Sequence, residues 1–550
     1  MNTIKSYWII MALFALVLLS PFFVGKIDFT ADQRYSLSEA TKTLVQEMKT
    51  PIRIDIFLEG DVPKEFQRLR KEAETLLKMM ADEGGDFLID FIDPFAEELP
   101  VEAVVEEMLQ YGMTPENIVN SKTQNFEQTL VFPWAIVSNG SRSVRVSLLK
   151  KNLGDTQEQQ IFKSIRQLEY QFLDALLQLE EKNKKNIAVL TSHQTSKQDL
   201  SADFLQALKP YYNLAAFDLK AFASQPEKTL DNLKRFDLLI ISNPNDVFVP
   251  EEKQIIDQFH TSGGKSLWMI NAIKIDRDSL FNNTGKAVAF ANDLQLDDLF
   301  FKWGIRLNSN LIKDLYAAPI VMAQGSGNKT QYLPFIWDYY PLVKTTEKTL
   351  IEQGVGNVWL RFASDIDTLK NPISKQILLE SSPLTKIMGT PTLVGLKEAT
   401  QKRVPEEYTG GTLSFAVLLE GPFESLYKNK IKPSSQLPYK ESGNSAALII
   451  ADGNFAENQL DKGNPLELGY DKWTNNFYNN KTFLVNSVHY LMDRKTPLSV
   501  RAKPLDIGFF DAQKIPQLAT KIKISIAVFP LLLLSLFALM VYLWRKRFNG

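Results

Sequence analysis

Two long uncharged apolar runs bracket the chain, and they constrain it more than any other feature. The first spans twenty residues from Ser6 to Gly25, with Trp8, Ile9, Ile10, Leu13, Phe14, Leu16, Val17, Leu18 and Leu19 as its body. The second spans twenty-one residues from Ile524 to Trp544, includes Leu531 to Leu534, and is followed at once by Arg545, Lys546 and Arg547. Twenty helical residues cover about 30 Å, the thickness of a bilayer's hydrocarbon core. A cleaved signal peptide would have a shorter apolar region and small residues at its cleavage site. Here the run leads into Ser20-Pro21-Phe22-Phe23-Val24, which favours an uncleaved anchor. The positive-inside rule puts the Arg-Lys-Arg tail in the cytoplasm. The expected topology is therefore an anchor at 1–26, a C-terminal transmembrane helix with a basic tail at 521–547, and both termini cytoplasmic. In a bacterium this is an inner-membrane protein with its bulk in the periplasm.

The residues between the runs have the balance of a folded protein, with 45% hydrophobic and 23% charged residues over the whole chain. Lys plus Arg number 62 against 64 for Asp plus Glu, so there is no basic field and nucleic acid is not an expected partner. With no Cys, the chain has no disulfide, thiolate metal site or thiol nucleophile. The three histidines, His193, His260 and His489, have no ligand spacing.

After the first run, Ser36 or Ser38 caps a helix that Pro51 stops. Ile52–Leu58 alternates apolar and polar residues as a half-buried strand, and Phe66, Leu69, Ala73, Leu76, Leu77 and Met80 recur at helical spacing. Phe87–Ile92 is a second strand, parallel to the first because a helix intervenes. Thr129–Val137 and Ser143–Leu149 read as a hairpin closed by Asn139-Gly140. This order, over 27–155, is that of a thioredoxin-like domain, but without C-x-x-C it has no redox chemistry. A connecting helix and charged linker follow at 156–185.

From 186 to 510 the pattern becomes strand–helix–strand at intervals of about thirty residues, with core strands Ile187–Thr191, Leu214–Leu219, Phe236–Ile241, Ser266–Ile270 and Ala446–Ala451. Pro250-Glu251-Glu252 opens one of the helices. The expected fold class is α/β, with a doubly wound sheet here. The segment at about 276–440, with Gly-rich loops and short irregular strands, reads as a mixed insertion. Val485, Val488 and Leu491 mark a closing helix, and Val500–Phe510 runs back toward the membrane.

Few residues suggest chemistry. Gly263-Gly264-Lys265-Ser266 resembles the end of a P-loop, but Phe259 stands where a Gly is needed and the segment runs from helix to strand. Gly325-Ser326-Gly327-Asn328 reads as a loop tip. Asp93-Pro94 reads as a strand-exit turn, and Glu97, Glu98, Glu102, Glu106 and Glu107 as a solvated helix face. His193, Asp452 and Asn454 should meet at the carboxyl edge of the α/β sheet, where open sheets bind ligands. There is no G-x-S-x-G elbow beside them, so no catalytic, cofactor-binding or metal residue is assigned and no cofactor is expected.

Ordered along the chain are Arg34-Tyr35-Ser36-Leu37-Ser38, Pro51-Ile52-Arg53-Ile54-Asp55-Ile56-Phe57-Leu58 and Asp90-Phe91-Ile92-Asp93-Pro94. They are followed by Phe236-Asp237-Leu238-Leu239-Ile240-Ile241, Gly263-Gly264-Lys265 and Leu448-Ile449-Ile450-Ala451-Asp452-Gly453-Asn454-Phe455. With the two terminal runs, this set resembles the gliding-motility ABC-transporter auxiliary proteins, the GldG family of the Bacteroidetes. The resemblance implies a membrane subunit working with a separate permease and a separate cytoplasmic ATPase. With no ATP site of its own, the chain reads as a non-enzymatic auxiliary subunit that meets the permease through its transmembrane helices and the ATPase indirectly. It also implies a glutamine-amidotransferase-like second domain. That fold's enzymes use a Cys nucleophile, which this chain lacks. A periplasmic ligand-binding receptor or a hydrolase on the α/β domain is the alternative.

Overall fold

The computed structural model describes residues 36–501 except 97–98, 121–126, 151–154, 182, 222–223, 325–329 and 347, together with Val528, Phe529, Leu532, Ser535 and Ala538 in helical conformation. The 6–25 run, the rest of the 524–544 run, Glu97-Glu98 and the Gly325–Asn328 loop lie outside the described residues. Among the described residues no helix is long and apolar enough to cross a membrane. Elements from Ser38 onward belong to one compact unit, Ser38–Ala502. It is a mixed α/β structure.

Ser38 is the helix cap: its hydroxyl accepts from Thr41 N–H at 3.2 Å and opens the helix Glu39–Glu47. Beyond Pro51, Ile52–Ile56 buries Ile52, Ile54 and Ile56 on one face. It is central in a four-stranded sheet, parallel to Phe87–Phe91 and antiparallel to Trp134–Ser138, which pairs in turn with Ser143–Ser147. The helix Lys64–Asp82 buries Phe66, Leu69, Ala73, Leu76, Leu77 and Met80. At the hairpin, Gly140 takes φ 81°, and Asn139 Oδ1 accepts from Arg142 N–H at 2.9 Å.

The expected strand Thr129–Val137 is in fact two strands. Pro133 has no N–H to give to a ladder. The chain breaks at Phe132-Pro133, so Glu127–Val131 pairs with Glu116–Asn120 in a separate two-stranded ladder.

The large sheet has seven strands. Five are parallel, in the spatial order Asn213–Phe217, Asn186–Leu190, Leu238–Ser242, Lys265–Met269 and Ser442–Ile450. Strand order reverses between Asn186–Leu190 and Leu238–Ser242, the kind of point where open sheets leave a crevice. Alternation sorts the side chains to two faces. Ile240 and Leu267 pack with Phe204, Leu208, Phe483 and Val488 from helices on one side. Leu239, Ile241 and Trp268 pack with Leu230, Leu233, Ile255 and Phe259 from helices on the other.

Residues 276–440 are more regular than their composition suggests. Gln331–Lys344 is a fourteen-residue strand paired with Ala317–Gln324, its apolar alternation masked in sequence by Pro334 and Pro341. Ser414–Glu424 and Ser374–Glu380 do not stand apart at all, but extend the large sheet as antiparallel strands beyond Ser442–Ile450. Val500 lies in a short helix, Lys495–Arg501. Residues from 502 to 510 lie outside the described residues.

Because Leu267 is fully buried in the central strand, a Leu267→Ala change should remove packing that the sheet cannot recover by collapse. The expected loss is about 2–5 kcal/mol, read as a lower urea midpoint with an unchanged slope.

Candidate functional site

Each of four core strands hands the chain to polar residues as it leaves the sheet: Ser192-His193, Asn243, Asn271 and Asp452. Two of these exits bend sharply. His193 (φ 64°), Gln194 (φ 47°) and Asn243 (φ 50°) are all left-handed, a conformation that costs non-glycine residues roughly 1–2 kcal/mol each. Backbone hydrogen bonds hold them, from Asn245 N–H to His193 O (2.8 Å) and from Asn243 N–H to Met269 O (2.8 Å).

Asp452 is completely buried. Its Oδ2 accepts from Arg361 N–H and its Oδ1 from Asn454 N–H, both at 2.8 Å. Burial pushes the Asp452 carboxyl up to about 6, although Arg361 and these two hydrogen bonds pull the other way. The Arg361 guanidinium donates to the carbonyls of Asn454 and Glu457.

Glu457 is the next link. Its Oε1 accepts from Ser196 Oγ at 2.8 Å and Asn243 Nδ2 at 3.4 Å, and its Oε2 lies 3.3 Å from Arg277 Nη1. Burial raises this carboxyl, but Arg361 and Arg277 outweigh it and hold Glu457 below the usual carboxylate range. Asn271 closes the circuit, donating to Asn243 Oδ1 (3.0 Å) and Asn454 Oδ1 (3.1 Å) and accepting from Gly453 N–H (2.7 Å). A Cβ on Gly453 would sit 2.6 Å from Asn243 Oδ1, so this close approach needs glycine.

The structure thus brings Asp452 and Asn454 together, as their positions in the sequence suggested. His193 leaves the same sheet edge, but its ring turns elsewhere. It stacks on Phe248 with centroids 4.0 Å apart, and its Nε2 lies 3.0 Å from Glu252 Oε2 on the Pro250–Thr261 helix. Asp93 Oδ1 accepts from Phe95 N–H at 2.9 Å, a local turn. The N–H groups of Gly263 and Gly264 bond His260 O and Phe259 O, ending the helix and leaving none to cradle a phosphate. Glu102, Glu106 and Glu107 are exposed on their helix. Among the described residues no cluster of three or more His, Asp or Glu could hold a metal ion.

Beside Glu457 opens a cleft of about 450 Å3, within the roughly 300–1,000 Å3 common for ligand pockets. Tyr340 and Trp359 form one wall, edge to face at 5.8 Å, and Trp359 is backed by Tyr478 stacked at 4.8 Å. Arg277, Arg361 and Trp473 complete its character. Arg277 is delivered by the turn that follows Ile273–Ile275, where Asp276 accepts from Ser279 N–H and Oγ. The lining offers aromatic faces and guanidinium groups suited to recognition. Ser196 does reach a carboxylate, but Glu457 is already shared with Asn243 and Arg277, and its lowered proton affinity makes it a poor base.

Asn271 was readable as the first polar residue after a core strand, and Asn243 as the second, behind Ser242. Arg277, Arg361 and Glu457 had no such signal, because their partners are distant in sequence and their own neighbourhoods follow no strand-exit pattern.

The raised Asp452 value has a stability consequence. Between about pH 4 and pH 6 the folded chain keeps a proton that the unfolded chain, at its ordinary 3.8, has released. This contribution is therefore present below about pH 4 and is lost as pH rises through about 6. At about 1.4 kcal/mol per pH unit, the loss is on the order of 3 kcal/mol. Urea unfolding of the wild type and the Asp452→Asn variant should show the stability difference shifting against the wild type by that order from pH 4 to pH 7. A difference that does not change with pH would contradict the buried, titrating carboxyl.

An uncharacterised protein of Borreliella burgdorferi is 21% identical over 443 residues, covering 75% of this chain and 76% of its own. The solved mmIFT52 N-terminal domain aligns at 12% identity with a TM-score of 0.33, over 56% of this chain and 97% of that one, a likeness too weak to bear on the fold. Residues 31–138 match a domain of unknown function. Residues 184–487, more than half of the chain and including Asp452, Arg361 and Glu457, match the family described as an ABC-type uncharacterized transport system, and the chain belongs to that family.

Proposed function

We propose that this protein is a non-enzymatic auxiliary subunit of an ABC-type transporter complex in a bacterial inner membrane. The observation that carries the reading is the family match over residues 184–487. In this reading the runs 6–25 and 524–544 are transmembrane helices with both termini cytoplasmic, and the unit Ser38–Ala502 lies in the periplasm. The helices dock on a permease subunit, and a cytoplasmic ATPase is reached through it. The resemblance of the ordered motifs to the GldG family supports a role in gliding motility. They also support a thioredoxin-like domain at 27–155 and an amidotransferase-like domain at 186–510. The cleft beside Glu457 favours one refinement: the carboxyl edge of the large sheet is the surface that binds a substrate or partner.

Neither run carries an internal charge, so neither suits an ion path, while Ala12, Ala15, Ser535 and Ala538 allow close helix approach in lipid. Replacing 524–544 with an unrelated poly-Leu span keeps an anchor and removes that packing surface. The permease should then fail to co-purify, while a reporter fused after Gly550 stays cytoplasmic. Undiminished co-purification would reduce the run to a lipid anchor, and an exported reporter would overturn the topology.

A further inference from the structure

Resting on the reading of the cleft as the binding surface, we infer that it takes an organic carboxylate with a compact apolar or aromatic body. Its walls are apolar where a body would lie, with Ile320, Tyr340, Trp359 and Trp473 among the lining residues. The Tyr340–Trp359 wall is already fixed by its own ring contacts and by Tyr478, so little side-chain freedom is lost on binding. Trp473 is 64% exposed, a large aromatic surface left uncovered at the mouth.

The charges select the head group. The lining carboxylates are committed: both oxygens of Glu457 are taken, and Asp471 accepts from Gln459 Nε2 at 2.9 Å and from Thr474 Oγ1 at 2.5 Å. Arg361 is buried, donates from Nη2 to the carbonyls of Asn454 and Glu457, and lies over the Trp359 ring at 5.4 Å. Lys472 donates to Leu460 O at 2.7 Å and stays at the rim beside Trp473. Arg277 is the more open of the two guanidinium groups. Its side chain is 40% exposed, and among the described hydrogen bonds it uses a single N–H, toward Glu457 at 3.3 Å. A guanidinium has five N–H donors in a fork that matches a carboxylate. A cationic ligand would meet Arg277 and Lys472 with like charge. A neutral amide would offer the fork one carbonyl oxygen and no countercharge, whereas a carboxylate offers two oxygens and a charge-assisted pair.

The test uses the full-length chain in lipid nanodiscs, with empty nanodiscs as the blank, titrated with 2-naphthoate and its neutral counterpart 2-naphthamide. Naphthoate should bind about tenfold or more tightly than naphthamide. Arg277→Gln should abolish that preference and leave naphthamide unchanged, Arg277→Lys should keep part of it, and Trp473→Ala should weaken both ligands. Equal binding of the two, no saturable binding of either, or a preference undiminished in Arg277→Gln would overturn the inference. The melting temperature of each variant reports folding, and the Lys and Trp473 variants carry the test if Arg277→Gln does not fold. Loss of ligand binding with the permease still co-purifying sinks the ligand class alone. Retained binding in a chain that never co-purifies with a permease sinks the subunit reading and leaves the cleft.

Discussion

The structure around the large sheet depends on a buried carboxyl group, that of Asp452, held between the backbone N–H groups of Arg361 and Asn454. A buried charge is costly unless it is paired and hydrogen-bonded. Here the compensation comes from segments far apart in the chain: the strand exits at Asn243 and Asn271, the arm carrying Arg361, and the turn from Asp452 to Glu457. Such a circuit adds little net stability, because its desolvation offsets much of the attraction. Its effect is positional. It pins the Gln331–Lys344 and Asn357–Trp359 strands over one edge of the sheet, and their Tyr340 and Trp359 become a wall.

The same circuit shapes what the edge can do. Left-handed turns at His193, Gln194 and Asn243 are strained conformations of the kind that persist where the surroundings over-determine them. They lie at the reversal of strand order, and Ser196 and Asn243 reach from there to Glu457. The carboxylates are engaged by fixed partners, whereas among the described hydrogen bonds Arg277 uses a single N–H beside apolar walls. That distribution suits holding a molecule better than transforming one, and it agrees with membership of a transport-system family.

Much of this is legible in the sequence. The apolar run at Phe236–Ile241, the Pro250 helix start and the Gly263-Gly264 stop each rest on local chemistry; the helix runs Pro250–Thr261 and the strand forms at Leu238–Ser242, two residues late at its start. Asp452 and Asn454 could be placed because they directly follow a core strand. His193 shows the limit of that rule: strand exit fixes where the backbone leaves, but Phe248 and Glu252 decided where the ring went. Arg361 was out of reach because its bond to Asp452 spans 91 positions. The Thr129–Val137 strand failed on Pro133, a ladder breaker read through. The strands of 276–440 were hidden by prolines that the sheet tolerates, with Pro341 beside the register shift near Ala317.

The central claim is that this chain works as one subunit of a transporter rather than alone. Purification of the tagged full-length protein from its native membranes into lipid discs, followed by direct imaging and mass spectrometry of what accompanies it, tests this most directly. The account predicts an ABC permease and an ATPase in stoichiometric amounts, with both ends of this chain in the bilayer. Recovery of the chain by itself, or with both termini on the side of its folded unit, would contradict it.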